Sequence, residues 1–283
     1  MRFEQISALS LPGNPQKPNE DSYGVTPRAA CIFDGATGLG EVLMPGKSDA
    51  QWIANFAARR FCAHAEAGQG GIREWVRLTA EDAQRSFIAL RRRPPRENYE
   101  VPCASAAMIA FDGNLLHILW FGDCALMLRG PDGGFTFIGD TLSKRESERT
   151  RVERASRTLK HRPADAIVRD EFLPSLRASR NLVNTGDDWL FAPDPACAEH
   201  AKSVNFEIAD GALLLLASDG FLALATDYQR YSPDELMSAV QQHGMQQIAD
   251  ELRAIEMTDP AGMKYPRFKS SDDATALLLR AVA

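Results

Sequence analysis

Three short apolar runs in this chain end at an aspartate and a fourth begins at one, and no other feature constrains the fold as tightly. Cys31-Ile32-Phe33 runs into Asp34-Gly35, His117 to Gly122 reaches Asp123, and Leu213 to Ser218 reaches Asp219-Gly220. In mirror image, Asp272-Asp273 opens the run Ala274 to Leu279, and Glu20-Asp21 stands just before another extended stretch. Continuous apolar runs of this length read as buried strands. A carboxylate at the rim of such a strand is rigidly held and partly desolvated. Several brought together repel one another unless cations neutralise them. Carboxylate, carbonyl and water ligands suit Mg²⁺ or Mn²⁺ rather than zinc. A single Asp-Gly is a common turn, so on spacing alone the turn reading and the metal reading both stay open.

The remaining pattern predicts helices around antiparallel strands. Residues 2–11 alternate loosely until Pro12-Gly13-Asn14-Pro15 breaks them, and Tyr23 to Phe33 reads as two short strands. Ser48-Asp49-Ala50-Gln51 has the form of a capping box, ahead of a helix with Trp52, Ile53, Phe56, Ala57 and Phe61 on one face. A second helix carries Ile72, Trp75, Val76, Ala83, Phe87 and Leu90, and Arg91-Arg92-Arg93-Pro94-Pro95 closes it. That arginine cluster is expected to be a solvated helix end. Ala104 to Phe111, Leu115 to Phe121 and Ala125 to Arg129 predict consecutive antiparallel strands, with a hairpin signal at Asp112-Gly113. Phe135 to Ile138 adds another, and Ser232-Pro233-Asp234-Glu235 starts a helix that Gly244 ends. Met245 to Ile255 marks the last helix. Strands, two helices, several strands, helices and a final strand make an α+β chain with antiparallel sheets and helices outside. No linker divides it, so residues 1–283 are expected as a single domain with a charged, Arg-rich, helical variable segment at about 143–180.

Composition bounds the function. The chain has 283 residues, 45% hydrophobic and 25% charged, with Lys+Arg 32 against Asp+Glu 38 and a net charge of −6. That is globular, long enough for a sizeable core without disulfides, and a poor match to a nucleic-acid binder. Neither a spanning run nor a secretory signal is read. Five widely spaced cysteines, Cys31, Cys62, Cys103, Cys124 and Cys197, form no C-x-x-C pair and read as reduced, buried small hydrophobes of a cytoplasmic protein. The histidines His64, His117, His161, His200 and His243 show no metal spacing. His161, inside the charged segment, is the one expected near a substrate.

Taken together, Asn19-Glu20-Asp21-Ser22, Phe33-Asp34-Gly35-Ala36-Thr37-Gly38, Phe121-Gly122-Asp123, Ala217-Ser218-Asp219-Gly220-Phe221 and Asp272-Asp273-Ala274-Thr275 resemble the metal-dependent protein phosphatase 2C (PPM) family in its bacterial form. The ordered set covers nearly the whole chain. The resemblance implies a four-layer α-β-β-α sandwich of two antiparallel sheets flanked by helices, with two or three Mn²⁺ or Mg²⁺ ions at one end. It implies that Asp34 bridges two metals, that the Gly35 carbonyl binds one of them, and that Asp219 and Asp272 bind the other. Glu20 would hold metal-bound water, and Asp123 would help bind a third ion with Asp219. Asp273 stands where the family usually has Asn, which favours Asp272 as ligand. The implied activity is serine/threonine phosphoprotein phosphatase, with a hydroxide bridged between two metal ions attacking phosphorus.

Two positions depart from the family pattern. Gln16 stands where an arginine often grips phosphate, with Lys17 beside it as a point charge, and Ala36 stands where many members have histidine after Asp-Gly. Lys17 is accordingly taken with Asp34 and Asp219 as a catalytic residue, and proton donation to the leaving oxygen would fall to metal-bound water. These departures keep two alternatives in view: a catalytically weak regulatory or binding module of the same fold, and a small-molecule phosphomonoesterase. The expected partner is a phosphorylated protein substrate, with no nucleic acid or membrane and a monomeric state. The 143–180 segment falls where the family varies its flap, and is expected to govern substrate choice.

Overall fold

Alternating side chains explain why the apolar runs are continuous. In β9 (Leu213–Ala217) Leu214 and Leu216 face one way while Leu215 and Ala217 face the other, and both faces are covered. A computed structural model describes residues 1–142, 167–265, 267 and 269–283. The charged segment therefore falls within the described residues only from position 167, and His161 lies outside them.

Among the described residues ten strands form two five-stranded sheets with every pairing antiparallel. One sheet has the order β1 (Arg2–Leu11), β10 (Ala274–Val282), β9, β6 (Ala125–Arg129), β7 (Phe135–Ile138). The other has the order β2 (Asp21–Val25), β3 (Ala29–Gly35), β4 (Ala104–Asp112), β5 (Leu115–Phe121), β8 (Lys202–Glu207). Ile32, Ile109 and Ile118 meet Leu126, Leu214, Leu216, Leu277 and Leu279 between the sheets. Helices α1 (Asp49–Ala67) and α2 (Ile72–Leu90) cover the outer face of the second sheet, where Phe61 and Trp75 lie over Phe33 and Met108. Helices α4 (Asp219–Thr226), α5 (Pro233–His243) and α6 (Met245–Thr258) cover the first, where Phe221, Leu236 and Leu252 lie over Met127, Leu215 and Leu278. Three apolar layers thus bind four structural ones, and each fully buried leucine contributes about 1.5–3 kcal/mol. The α-β-β-α sandwich is the expected one.

Local signals hold with two corrections. Ser48 caps α1 by accepting from the Gln51 amide, Gly68 ends it at φ +70, and Ser232 and Glu235 form the reciprocal capping box of α5. The three consecutive strands are present, each paired antiparallel, but they do not share one sheet. β5 pairs with β4, but β6 crosses to the other sheet, where it lies between β9 and β7. Gly122 at φ +67 makes that change of sheet within a short connection. The arginines after α2 are also not simply solvated: Arg93 clamps Glu100 with two hydrogen bonds of 2.8 Å and also reaches Glu41. Strand β8 was not expected, because Lys202-Ser203-Val204-Asn205-Phe206-Glu207 is a polar edge strand without an apolar run.

Helix α3 (Ile167–Asn181) contains Pro174 and docks at its C-terminal half. Arg177 donates to the Leu39 carbonyl at 2.8 Å and stacks over Tyr99, while the Asn181 side chain accepts from the Tyr99 amide. Among the described residues no helix is long and apolar enough to cross a membrane. All five cysteines are unpaired, four of them buried.

Candidate metal centre

Antiparallel pairing decides which acids meet. The C-terminal ends of β3 and β5 flank the start of β4, and the C-terminal end of β9 lies beside the start of β10. Asp21 at the start of β2 lies opposite Asp34 at the end of β3, and Asp34 lies opposite Ser105 in β4. Acids that end strands running one way therefore join acids that begin strands running the other, all at one end of the sandwich. There, one carboxylate oxygen from each of Asp34, Asp123 and Asp219 lies within 4.8 Å of the others. All three side chains are partly exposed.

Glycines permit the close approach. A Cβ on Gly35 would lie 2.3 Å from the Ala50 carbonyl oxygen, and one on Gly220 would lie 1.9 Å from that of Asp273. The second contact presses the Asp219 turn onto the Asp272-Asp273 turn. Hydrogen bonds then aim the acids. Ser105 donates to Asp123 at 2.6 Å. Both Glu20 oxygens accept from hydroxyls, one from Thr37 at 2.5 Å and one from Ser48. The Gly35 amide donates to the Glu20 carbonyl at 2.9 Å. Asp273 accepts the amides of Gly13 at 2.7 Å and Glu20 at 2.6 Å, so its two oxygens hold the β1–β2 connection. Asp272 is left as the acid of that pair whose charge acts on Asp34.

The charge balance of this rim asks for cations. Burial, then Asp21, Asp219, Asp123 and Asp272, pushes the Asp34 carboxyl well above its ordinary range. Asp21 is 5% exposed. Burial raises its carboxyl to about 8, with Asp273 and Asp219 adding to the effect and a bond from Ser218 opposing it. One oxygen of Asp21 accepts from Ser218 at 2.8 Å, while the other is buried without a hydrogen-bond partner among the described residues. An all-oxygen donor set with an orphaned carboxylate oxygen behind it fits a hard divalent ion such as Mg²⁺ or Mn²⁺. The described histidines lie elsewhere: His64 pairs with Asp82, His117 with Asn205, His200 stacks on Trp189, and His243 ends α5.

Lys269 is a cation in contact with this rim. Its ammonium donates to Asp272 Oδ1 at 2.6 Å. Asp272, and then Asp219 and Asp34, raise its pKa. Lys17 is exposed, and its amide closes a turn onto the Asn14 carbonyl at 2.9 Å. Asp21, Ser105 and Lys269 were not singled out from the sequence. Asp21 alone carried a signal, as the third residue of Asn19-Glu20-Asp21-Ser22.

No protein-family model matches the chain, and no curated protein matches it. Solved structures do. The serine/threonine phosphatase PstP/Ppp of Mycobacterium tuberculosis is 18% identical over 100% of both chains, with a TM-score of 0.60. The PstP catalytic domain in complex with two manganese ions is 18% identical over 100% of this chain and 99% of that one, with a TM-score of 0.55. The PPM Ser-Thr phosphatase MsPP of Mycobacterium smegmatis, in complex with cacodylate, is 18% identical over 99% of each chain, with a TM-score of 0.54. The fold is that of the PPM phosphatases. Within the PPM fold of this chain, the acids of both sheets converge at one rim, and α3 lies against the 36–39 loop beside it, with Arg180 reaching toward the Ala36 carbonyl at 3.5 Å.

Proposed function

We propose that this chain is a metal-dependent phosphatase of phosphoserine and phosphothreonine in proteins. The observation that carries the reading is the approach of Asp34, Asp123 and Asp219 within 4.8 Å at one end of a PPM sandwich. Asp34, Asp219 and Asp272 would hold two Mn²⁺ or Mg²⁺ ions together with the Gly35 carbonyl. Asp123 would serve a third ion, and Glu20 would hold water. Divalent ions bound there supply Lewis acidity toward a phosphoryl group and an activated water.

The protein's own part is placement. Ser105 fixes the Asp123 carboxylate, and Thr37 and Ser48 fix Glu20, so the pocket is preorganised for the charge that develops during transfer. Asp273 ties the turn that carries Glu20 to the turn that carries Asp272. Lys17, exposed in the β1–β2 connection, would offer a positive charge to a phosphate. The segment 143–180 would select among phosphoproteins, and its helix α3 reaches the 36–39 loop. A cytoplasmic location accords with five unpaired cysteines, and a monomer without nucleic-acid or membrane partners accords with the net charge of −6.

The test is hydrolysis of p-nitrophenyl phosphate, a phosphothreonine peptide set and a panel of phosphorylated metabolites, with Mn²⁺ and with chelator. The reading requires Mn²⁺-dependent turnover that favours phosphopeptides and disappears in Asp34→Ala and Asp219→Ala. Metal binding without turnover of any substrate would reassign the chain as a binding module.

A further inference from the structure

We propose that Lys269, parked on Asp272 Oδ1, is the phosphate-gripping cation of this chain, standing in for the arginine absent at Gln16; this rests on the phosphatase reading above. The rim gathers Asp21, Asp34, Asp123, Asp219 and Asp272, and a phosphate dianion approaching so many carboxylates needs positive charge from the protein as well as from metals. Lys269 supplies it at the right place. Its side chain is half exposed, so the ammonium faces solvent on one side and Asp272 on the other.

Only one Asp272 oxygen is engaged by these contacts. Oδ1 accepts both the Lys269 ammonium at 2.6 Å and the Asp273 amide at 3.0 Å, and neither of these two contacts occupies Oδ2. With a divalent ion held at this rim, the Asp272 carboxylate would offer the ammonium less charge, and Nζ would be freer to meet an incoming phosphate oxygen. Described residues on both sides of Lys269 are tied down. Asp259 accepts the amides of Met263, Lys264 and Tyr265 and pairs with Arg267, and Arg267 in turn donates to the Ser270 carbonyl. Ser271 bonds Glu256 and Arg253. Lys269 thus extends a flexible four-carbon stem between anchored neighbours, which suits a point-charge phosphate contact rather than a bidentate one.

Calorimetry separates this role from a merely structural one. Inorganic phosphate is titrated into the Mn²⁺-loaded protein, and Mn²⁺ into the metal-free protein, for wild type, Lys269→Met and Lys269→Arg, with thermal melts as the check on folding. The expected result is phosphate affinity reduced about fivefold or more in Lys269→Met and restored within about twofold in Lys269→Arg, with Mn²⁺ bound at least as tightly as by wild type. Unchanged phosphate affinity in a folded Lys269→Met overturns the proposal. So does a loss of Mn²⁺ affinity that fully accounts for the weaker phosphate binding, because Lys269 would then only orient Asp272. Wild-type protein that binds no phosphate overturns it as well. Phosphate binding lost in Lys269→Met without turnover by any form leaves this inference standing and defeats the phosphatase reading alone.

Discussion

Asp21 and Ser218, 197 residues apart in sequence, share a buried 2.8 Å hydrogen bond that joins the first residue of β2 in one sheet to the residue capping α4 behind the other. The same Ser218 hydroxyl accepts the Thr275 amide at 3.0 Å. Replacing Asp21 by Asn keeps an acceptor for Ser218 and removes a carboxyl whose burial disfavours its charge. In chelator, Asp21→Asn is expected to raise the melting temperature by a few degrees, on the order of 1 kcal/mol. Mn²⁺ affinity should fall about tenfold, the scale of a group standing behind the ligands. A lower melting temperature in chelator would contradict the assignment.

Asp34 and Asp219 are expected to behave oppositely in the two assays. Each alanine variant should lose Mn²⁺-dependent hydrolysis by about a hundredfold or more. Without metal, each should melt at or above the wild-type temperature, since a mutually repelling carboxylate has gone. Melting curves with chelator and with Mn²⁺ read both effects, and a large destabilisation in chelator would mean that the acids serve the fold rather than a cation.

Gly220 is the tightest point of the rim. A Cβ there meets the Asp273 carbonyl oxygen at 1.9 Å, a backbone atom that cannot rotate away. Gly220→Ala should cost about 1–3 kcal/mol by the usual scale of overpacking. It should also weaken Mn²⁺ binding, because the turns carrying Asp219 and Asp272 are forced apart. Retained affinity with full stability would show that the turns are not in contact.

Acid sensitivity should trace to Glu100. The two Arg93 bonds, helped by the Arg96 amide and opposed by burial, lower its carboxyl from 4.5 to about 2. Because the folded value lies below the unfolded one, this contribution is complete above about pH 4.5 and is lost as pH falls toward 2. Arg93→Met should therefore destabilise the protein by roughly 2 kcal/mol at pH 7, with the gap to wild type narrowing at pH 3. Urea melts at the two pH values decide this, and a constant gap would assign the loss to packing of the arginine stem.

Much of the rim was legible because it is written locally. An apolar run that stops at Asp-Gly marks both a buried strand and the acid at its end, as Phe33-Asp34-Gly35 and Ala217-Ser218-Asp219-Gly220 do. What escaped was set by partners distant in the chain. Ser105 matters through Asp123, and Lys269 through Asp272 in a loop whose shape Asp259 and Arg267 determine. Nor could the run of strands from Ala104 to Arg129 reveal that the chain changes sheets at Gly122, since Gly122-Asp123 reads equally well as a turn between neighbouring strands of one sheet. Strand β8 has no apolar run to betray it, and its register against β5 alone makes it a strand.

The rim borrows its carboxylates from both halves of the sandwich, Asp34 and Asp123 from one sheet and Asp219 from the other. An ion lodged among them is therefore also a rivet through the open end of the barrel-like slab. If the proposed centre binds divalent ions, their supply would set how firmly the two sheets are braced at that end.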